Sequence, residues 1–258
     1  MDYETVKFER QGRIAIITLN RPQALNAFNT QEEWDLSHAF DEFEADDDLW
    51  VAIIKGEGRC FSAGADVKEM SRGVTPEDRK KRDQLHASGK TAGDYPFTKP
   101  IIAAVHGYCL GAGLITALQC DMVVAAEDAQ FGVAEVKRGL PPTNVLVRVF
   151  RSLPYKVAMD MNVTGDNITA QDAYRWGAVN QVVPREQLME AALKMANRVL
   201  DAAPLAQRAA KKKARLQDGI PLQQAINIDV GGHVRQSEDL KEGIRAFVEK
   251  RKPVWRAR

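Results

Sequence analysis

The stretch "GYCLGAGLITALQCD" (residues 107–121) places three glycines directly before an apolar run, and it continues from a second apolar run, "KPIIAAVHG". Glycine has no Cβ atom, so another group can approach its backbone closely. The stretch therefore predicts a strand, a tight turn and the start of a helix, with something packed against the turn. We call this turn the glycine turn.

Three interpretations of the glycine turn are open. The first is a dinucleotide-binding GxGxxG fingerprint, but Thr116 stands where the third glycine belongs, and the match lies past residue 100. The second is close strand–helix packing without chemistry. The third is an oxyanion site, where N–H groups with no helical partner stabilise negative charge on a substrate oxygen.

A second segment favours the oxyanion interpretation. "GRCFSAGADVKEM" (residues 58–70) also follows a predicted strand, contains a turn of small residues and leads into a predicted helix. Asp66 stands where a helix cap is expected. We call this segment the upstream turn. Two such turns, each directing one amide at the same oxygen, satisfy the minimum that an oxyanion hole requires.

The rest of the chain predicts an α/β core followed by helices. Predicted strands are "RIAIITL" (13–19), "WVAIIKG" (50–56), "KPIIAAVHG" (99–107) and "DMVVAAED" (121–128), with short extended structure in "FGVAEVKRG" (131–139). Predicted helices are "NTQEEWDLSHAFDEFEAD" (29–46), capped by Asn29 or Thr30, "TAQDAYRWGAV" (169–179), "REQLMEAALKMANRVLDAA" (185–203), and most of the chain after Pro204. Residues 72–94 predict either a solvated helix and loop or an element that covers a binding site.

Composition narrows the function classes. The 258 residues have a net charge of +1, which indicates no general attraction to nucleic acid or to anionic membranes. The three cysteines form no CxxC pair, which favours a reducing compartment and a cytoplasmic location and gives no sign of a zinc site. We expect no secretory signal and no membrane span. No GxSxG motif indicates a serine hydrolase.

Several motifs resemble the enoyl-CoA hydratase/isomerase (crotonase) superfamily: "RCFSAGADVKEM", "KPIIAAVHGYCLGAGLITALQCDMVVAAEDAQFGVAE" and "AYRWGAVNQVVP", with "LNRPQALNAFN" near the start and "AFVEKRKPVW" near the end. The resemblance covers nearly the whole chain, with the motifs in order. It implies an α/β fold, a ClpP-like spiral of ββα units in residues 1–195. It also implies a C-terminal helical region, 196–258, that assembles homotrimers or dimers of trimers.

The resemblance implies an enzyme that hydrates an enoyl-CoA or shifts its double bond. Coenzyme A would enter as part of the acyl-CoA substrate, with no prosthetic group and no metal. The family's two oxyanion amides match Ala65 and Ala112, and its adenine-binding backbone matches Ala24 and Leu25. The other candidate substrate-binding residues are Ala63, Asp66, Val67, Lys68, Ile115, Pro142, Thr143, Phe247 and Lys250.

The acid/base residues depart from those of many family hydratases. Their second glutamate matches Glu135, but the first falls at Ile115, which cannot exchange a proton. Glu135 is therefore the expected sole carboxylate acid/base, a pattern that also resembles the family's double-bond isomerases. The sequence leaves open whether another acid, folded in from elsewhere, replaces the missing one.

Two further alternatives remain open. The loop "GLPPTNV" (139–145) is similar to the proline-containing loop of hydroxycinnamoyl-CoA hydratase-lyases, with Thr143 and Asn144 as polar groups for the acyl chain or as turn residues. The basic cluster in residues 208–215 predicts a solvated helix face. Its alternatives are a contact with the phosphates of coenzyme A, or a nucleic-acid- or protein-binding member with vestigial catalysis. His106, Cys109 and Cys120 are expected to pack in the core.

Overall fold

Apolar runs rich in β-branched residues form the strands of a six-stranded sheet, in the order β1-β2-β3-β4-β6-β9. The computed structural model describes residues 3–141 and 143–258. The strands of this sheet are β1 (Val6–Gln11), β2 (Ile14–Leu19), β3 (Val51–Gly56), β4 (Ile101–Val105), β6 (Met122–Ala126) and β9 (Gln181–Val183). Strand β1 is antiparallel to β2, and every later pair is parallel.

A smaller sheet of three strands, ordered β5-β7-β8, lies alongside the larger one. Its strands are β5 (Tyr108–Leu110), β7 (Gln130–Gly132) and β8 (Ile168–Thr169). The chain passes from β4 to β5 and then enters a helix, and it passes likewise from β6 to β7. This succession is the ββα order that the family resemblance implies.

The helices of the described chain either cover the two faces of the larger sheet or pack outside that layer. They are α1 (Thr30–Ala45), α2 (Val67–Arg72), α3 (Pro76–Ser88), α4 (Ala112–Leu118), α5 (Thr143–Ser152), α6 (Tyr155–Thr164), α7 (Ala170–Arg175), α8 (Leu188–Leu200), α9 (Pro204–Leu216), α10 (Leu222–Ile226), α11 (Gly232–Arg235) and α12 (Glu238–Val248). Short 3-10 helices lie at Pro22–Ala24, Val136–Arg138 and Arg185–Gln187. The division into 1–195 and 196–258 remains a prediction, and its boundary falls inside α8.

The core has two parts because neighbouring residues of a strand point to opposite faces of the sheet. In β3, Ala52 and Ile54 belong to the larger cluster, whereas Val51 and Ile53 belong to the cluster beneath α8. A parallel strand that is covered on both faces reads as a continuous apolar run. This burial explains why the central strands are visible in the sequence.

The segment "FGVAEVKRG" is extended only at its start, so the prediction of extended structure is wrong for most of it. Strand β7 ends at Gly132, and the 3-10 helix Val136–Arg138 follows. The Glu135 carbonyl accepts the N–H groups of Arg138 and Leu140, at 2.9 and 3.0 Å, and this closes the turn. This 3-10 turn places the Glu135 carboxylate against Gly111 of the glycine turn.

The prediction of a solvated basic face on α9 is wrong for Lys211 and Lys213, whereas Lys212 is exposed as predicted. Lys211 donates to the Lys99 carbonyl at 2.7 Å and pairs with Asp121 at 2.6 Å. Lys213 donates to the Ile228 carbonyl at 2.6 Å. These ammonium groups join α9 to neighbouring segments, because carbonyl and carboxylate oxygens are their natural acceptors.

Candidate active site

The upstream turn and the glycine turn lie side by side. The Ser62 N–H donates to the Tyr108 carbonyl at 2.8 Å, and the Leu110 N–H donates to the Ser62 carbonyl at 3.0 Å. A Cβ atom on Gly113 would lie 2.6 Å from the Cβ of Ser62. The group that approaches the glycine-rich backbone is therefore the upstream turn.

The main-chain N–H groups of Ala65 and Ala112 are available for a ligand. Throughout the described residues, neither amide donates a hydrogen bond to the protein. Both alanines line one cavity of about 850 Å³. Ala112 begins α4, so its N–H has no partner within the helix. The cavity lining therefore includes two residues whose main-chain N–H groups have no acceptor in the described protein, one from each turn.

Glu135 lies against the glycine turn. A Cβ atom on Gly111 would be 2.6 Å from its Oε1 atom, so the carboxylate occupies space that only glycine leaves free. The backbone of Gly111 has φ +47° and ψ −114°, a conformation that side chains disfavour. Oε2 is buried and has no hydrogen-bond partner among the described residues. Burial raises the pKa of Glu135, which suits the group to proton transfer near neutral pH.

Asp66 caps α2, as the sequence predicts. Its side chain accepts hydrogen bonds from the N–H groups of Lys68 and Glu69, at 3.0 and 3.3 Å. It also pairs with Arg21 at 2.9 Å, and this contact holds the upstream turn to the Asn-Arg-Pro turn. Asp66 lines the cavity beside Ala65. Its capping and ion-pairing contacts give the carboxylate a structural role.

The remaining cavity lining comes from helices that lie far apart in the chain. Apolar side chains include Phe28, Met70, Ile115 and Val147. The charged side chains are Glu33, Asp66, Glu69, Arg82, His86, Asp94, Arg148 and Arg151. Residues 72–94 supply several of these, which favours the interpretation that this segment covers a binding site. Among these charged residues, sequence reasoning singled out only Asp66 for the site, because no local motif marks the others.

The predicted site residues divide into two groups. Ala65, Asp66, Ala112 and Ile115 meet at the cavity. Ala63 does not line the cavity; its N–H donates to the Leu25 carbonyl at 3.0 Å. The predicted residues that do not line the described part of this cavity are Ala24, Leu25, Ala63, Val67, Lys68, Glu135, Phe247 and Lys250. Glu135 is placed next to the lining residue Ala112 through its contact with Gly111.

Two predicted residues fall at the edge of what the structure describes. Pro142 lies outside the described residues, and so does the side chain of Thr143, whose backbone begins α5. Phe247 and Lys250 stand at the end of α12, where the Phe247 side chain is 86% exposed. They remain predicted contacts for coenzyme A.

The core residues behave as predicted. His106 is buried, its Nε2 atom lies 3.1 Å from the Gly58 carbonyl oxygen, and burial lowers its pKa. Cys109 is buried, and burial raises the pKa of its thiol. In the described chain, no helix combines the length and apolarity needed to cross a bilayer. Among the described residues, no group of three or more His, Cys, Asp or Glu side chains is arranged so that it could hold a metal ion.

The chain is similar to known proteins over almost its full length. A family model described as enoyl-CoA hydratase/isomerase matches residues 9–258. A carnitinyl-CoA dehydratase of Salmonella enteritidis is 38% identical over 266 residues, which cover 99% of both chains. Two crystal structures are each 36% identical to the chain. One is an enoyl-CoA hydratase from Mycobacterium tuberculosis, with a TM-score of 0.87 over 98% of this chain and 99% of that chain. The other is an enoyl-CoA hydratase/isomerase from Mycobacterium paratuberculosis, with a TM-score of 0.90 over 100% of both chains.

Proposed function

The chain belongs to the enoyl-CoA hydratase/isomerase family and is an enzyme that acts on coenzyme A thioesters, and we propose that it adds water to an enoyl-CoA or removes it. The observation that carries this proposal is the pair of unbonded amides, at Ala65 and Ala112, on one cavity. They hold the thioester carbonyl oxygen as negative charge develops on it. Such donors stabilise an enolate-like anion without any reorganisation during the reaction.

Glu135 moves the protons in this proposal. Its carboxylate lies against Gly111, the residue before the second amide. As the sole carboxylate acid/base it activates the water and later returns a proton to the acyl chain, because Ile115 offers no second carboxylate. Burial raises its pKa, so the protonated form is closer in energy to the carboxylate than in a solvated glutamate.

A shift of the double bond is the second candidate reaction. Ile115 lines the cavity and favours this reaction, because transfer of one proton between two carbons needs one carboxylate and no bound water. Hydration followed by cleavage of a hydroxycinnamoyl-CoA remains the alternative that rests on the loop 139–145. The relatives' names, a dehydratase and hydratases, support the addition or removal of water as the reaction.

The test is a Glu135→Gln variant measured with crotonyl-CoA, a 3-enoyl-CoA and a hydroxycinnamoyl-CoA. Loss of absorbance from the conjugated thioester reports hydration. We expect kcat to fall by about 10²–10⁴-fold while calorimetric binding of coenzyme A is unchanged, because removal of a general acid/base has that effect. Glu127→Gln, at an exposed carboxylate after β6, is the control.

Two results contradict the proposal. Full turnover by Glu135→Gln contradicts the role of that carboxylate. Absence of turnover with every thioester, together with salt-sensitive binding of RNA, favours a binding protein with vestigial catalysis.

We also propose that the enzyme works in a reducing, cytoplasmic compartment as a homotrimer or a dimer of trimers. The described cysteines Cys60, Cys109 and Cys120 are all free thiols, which supports the compartment. The family resemblance supports the assembly.

A further inference from the structure

The arginines that line the cavity already have carboxylate partners. Arg82 pairs with Glu69 at 2.7 Å, Arg148 with Asp94 at 3.0 Å, and Arg151 with Asp218 at 2.6 Å. Arg82 is held further by its Nε atom, which donates to the Thr30 hydroxyl at 2.8 Å. The positive charges of the lining are therefore already balanced by the protein.

Glu33 is the lining carboxylate without such a partner. Its side chain projects from the first turn of α1 into the cavity. Among the described residues, no cation lies within ion-pair distance of it, and no group donates a hydrogen bond to its carboxylate. Arg82 and His86 face it from α3 and Glu69 faces it from α2, and burial among these groups raises its pKa overall. Among the described lining residues, Glu33 is thus the one acidic side chain without an ion-pair or hydrogen-bond partner in the protein.

We propose that Glu33 binds a positively charged group on the acyl chain, so that the substrate is an acyl-CoA ending in an ammonium or quaternary ammonium group. This inference rests on the proposed function, because the cavity must hold the acyl chain. A partly desolvated carboxylate gains most from a cation, whereas an anionic acyl end meets like charge. The apolar side chains of Phe28 and Met70, also in the lining, offer surface to methyl and methylene groups.

Two thioesters of equal shape differ in the charge at the end of the acyl chain, and the comparison with a Glu33 variant cancels any difference in their intrinsic reactivity. They are 4-(trimethylammonio)but-2-enoyl-CoA and its neutral isostere, 5,5-dimethylhex-2-enoyl-CoA. For the wild-type enzyme we expect kcat/KM for the cationic thioester to exceed that for the neutral one by about tenfold or more, a typical gain for a partly buried charge pair. The wild-type measurement itself needs no variant, so it does not depend on how a substitution folds.

Glu33→Gln then assigns the preference to this residue. We expect the ratio of the two kcat/KM values to fall about tenfold, mainly through a higher KM for the cationic thioester. Glu190→Gln removes an exposed carboxylate on α8 and controls for net charge. This control should retain the wild-type ratio.

The contradicting results are distinct. Equal wild-type values for the two thioesters overturn the cationic substrate but leave the proposed function intact. An equal loss on both thioesters in Glu33→Gln also overturns the inference, because Glu33 then serves the fold or the proton transfer. Turnover of neither thioester, nor of crotonyl-CoA, overturns the proposed function and this inference together.

Discussion

Glu32 is a fully buried carboxyl group next to the site. It precedes the cavity residue Glu33 in α1, and its nearest charged partner is Arg21, 3.6 Å away. Neither carboxyl oxygen has a hydrogen-bond partner among the described residues. Burial raises the pKa of Glu32 to about 8, and Arg21 opposes that rise only in part. Glu32 is therefore protonated in the folded protein at pH values where the unfolded chain has lost that proton.

This raised pKa sets a direction for stability against pH. Between the usual pKa of glutamate and about 8, the folded state binds more protons than the unfolded state, so stability falls as pH rises through that window. Glu32→Gln removes the effect because glutamine does not titrate. We expect the variant to be more stable than wild type by about 2 kcal/mol at pH 9 and nearly equal at pH 5. Thermal unfolding at both pH values measures this.

Glu190→Gln, again at an exposed position, should change neither the stability nor its pH dependence. A Glu32→Gln protein that is less stable than wild type at pH 9 would mean that the contact with Arg21 outweighs the cost of burial.

Individual residues were predictable where a local rule applies. Asn29 and Asp66 cap helices because their short side chains reach free N–H groups. Glu33 and Arg82 were not predictable as cavity residues, because α1 and α3 meet only in the folded chain. Acidic residues in the first turn of a helix are explained by their interaction with the helix dipole, so the sequence gives no separate sign that Glu33 lines a cavity.

The docking of α9 depends on Lys211. The side chain is only 8% exposed and bonds both the Lys99 carbonyl and the Asp121 carboxylate. Asp121 also accepts the Ile101 N–H at 2.8 Å, at the start of β4. We expect Lys211→Met to lower the free energy of unfolding in urea by about 2 kcal/mol, because it leaves a partly buried carboxylate with one partner fewer.

Lys212→Met is the matched control, since Lys212 is the next residue and is exposed. The prediction fails if the two variants lose equal stability, because α9 would then be held by its apolar contacts alone.

A strand or helix was predictable when its burial leaves a clear apolar pattern in the sequence. Strands β2, β3, β4 and β6 are mainly apolar and were predicted. Helix α5 was not, because its valines favour strands on propensity alone. Its buried residues Val145 and Val149 lie four positions apart, so packing on one helical face overrides that preference.

The outer face of α12 carries an apolar stripe. Leu240, Ile244, Phe247 and Val248 lie at helical spacing and are 40%, 60%, 86% and 74% exposed. Such a stripe is costly to leave in water, and it is located in the predicted trimerisation region. We expect Phe247→Arg to shift the mass in solution from that of three or six chains to that of one, as measured by light scattering after gel filtration.

Val163→Arg changes an equally apolar residue, 68% exposed on α6, and should leave the mass unaltered. If wild type runs as a single chain, the proposed trimer is wrong. If Phe247→Arg retains the wild-type mass, the stripe serves another purpose. The fold was predictable from motifs that span the chain, whereas the number of subunits depends on surfaces that no motif describes.

The proposed oxyanion donors at Ala65 and Ala112 are peptide N–H groups, and this affects how the protein can change in evolution. A mutation replaces a side chain but leaves the peptide N–H in place, unless it introduces proline. Neighbouring positions such as Ile115 and Glu33 are therefore free to vary without loss of the shared polarising device. A single substitution at such a position can therefore change which substrate fits, while the main-chain N–H groups proposed to hold the thioester oxygen stay in place.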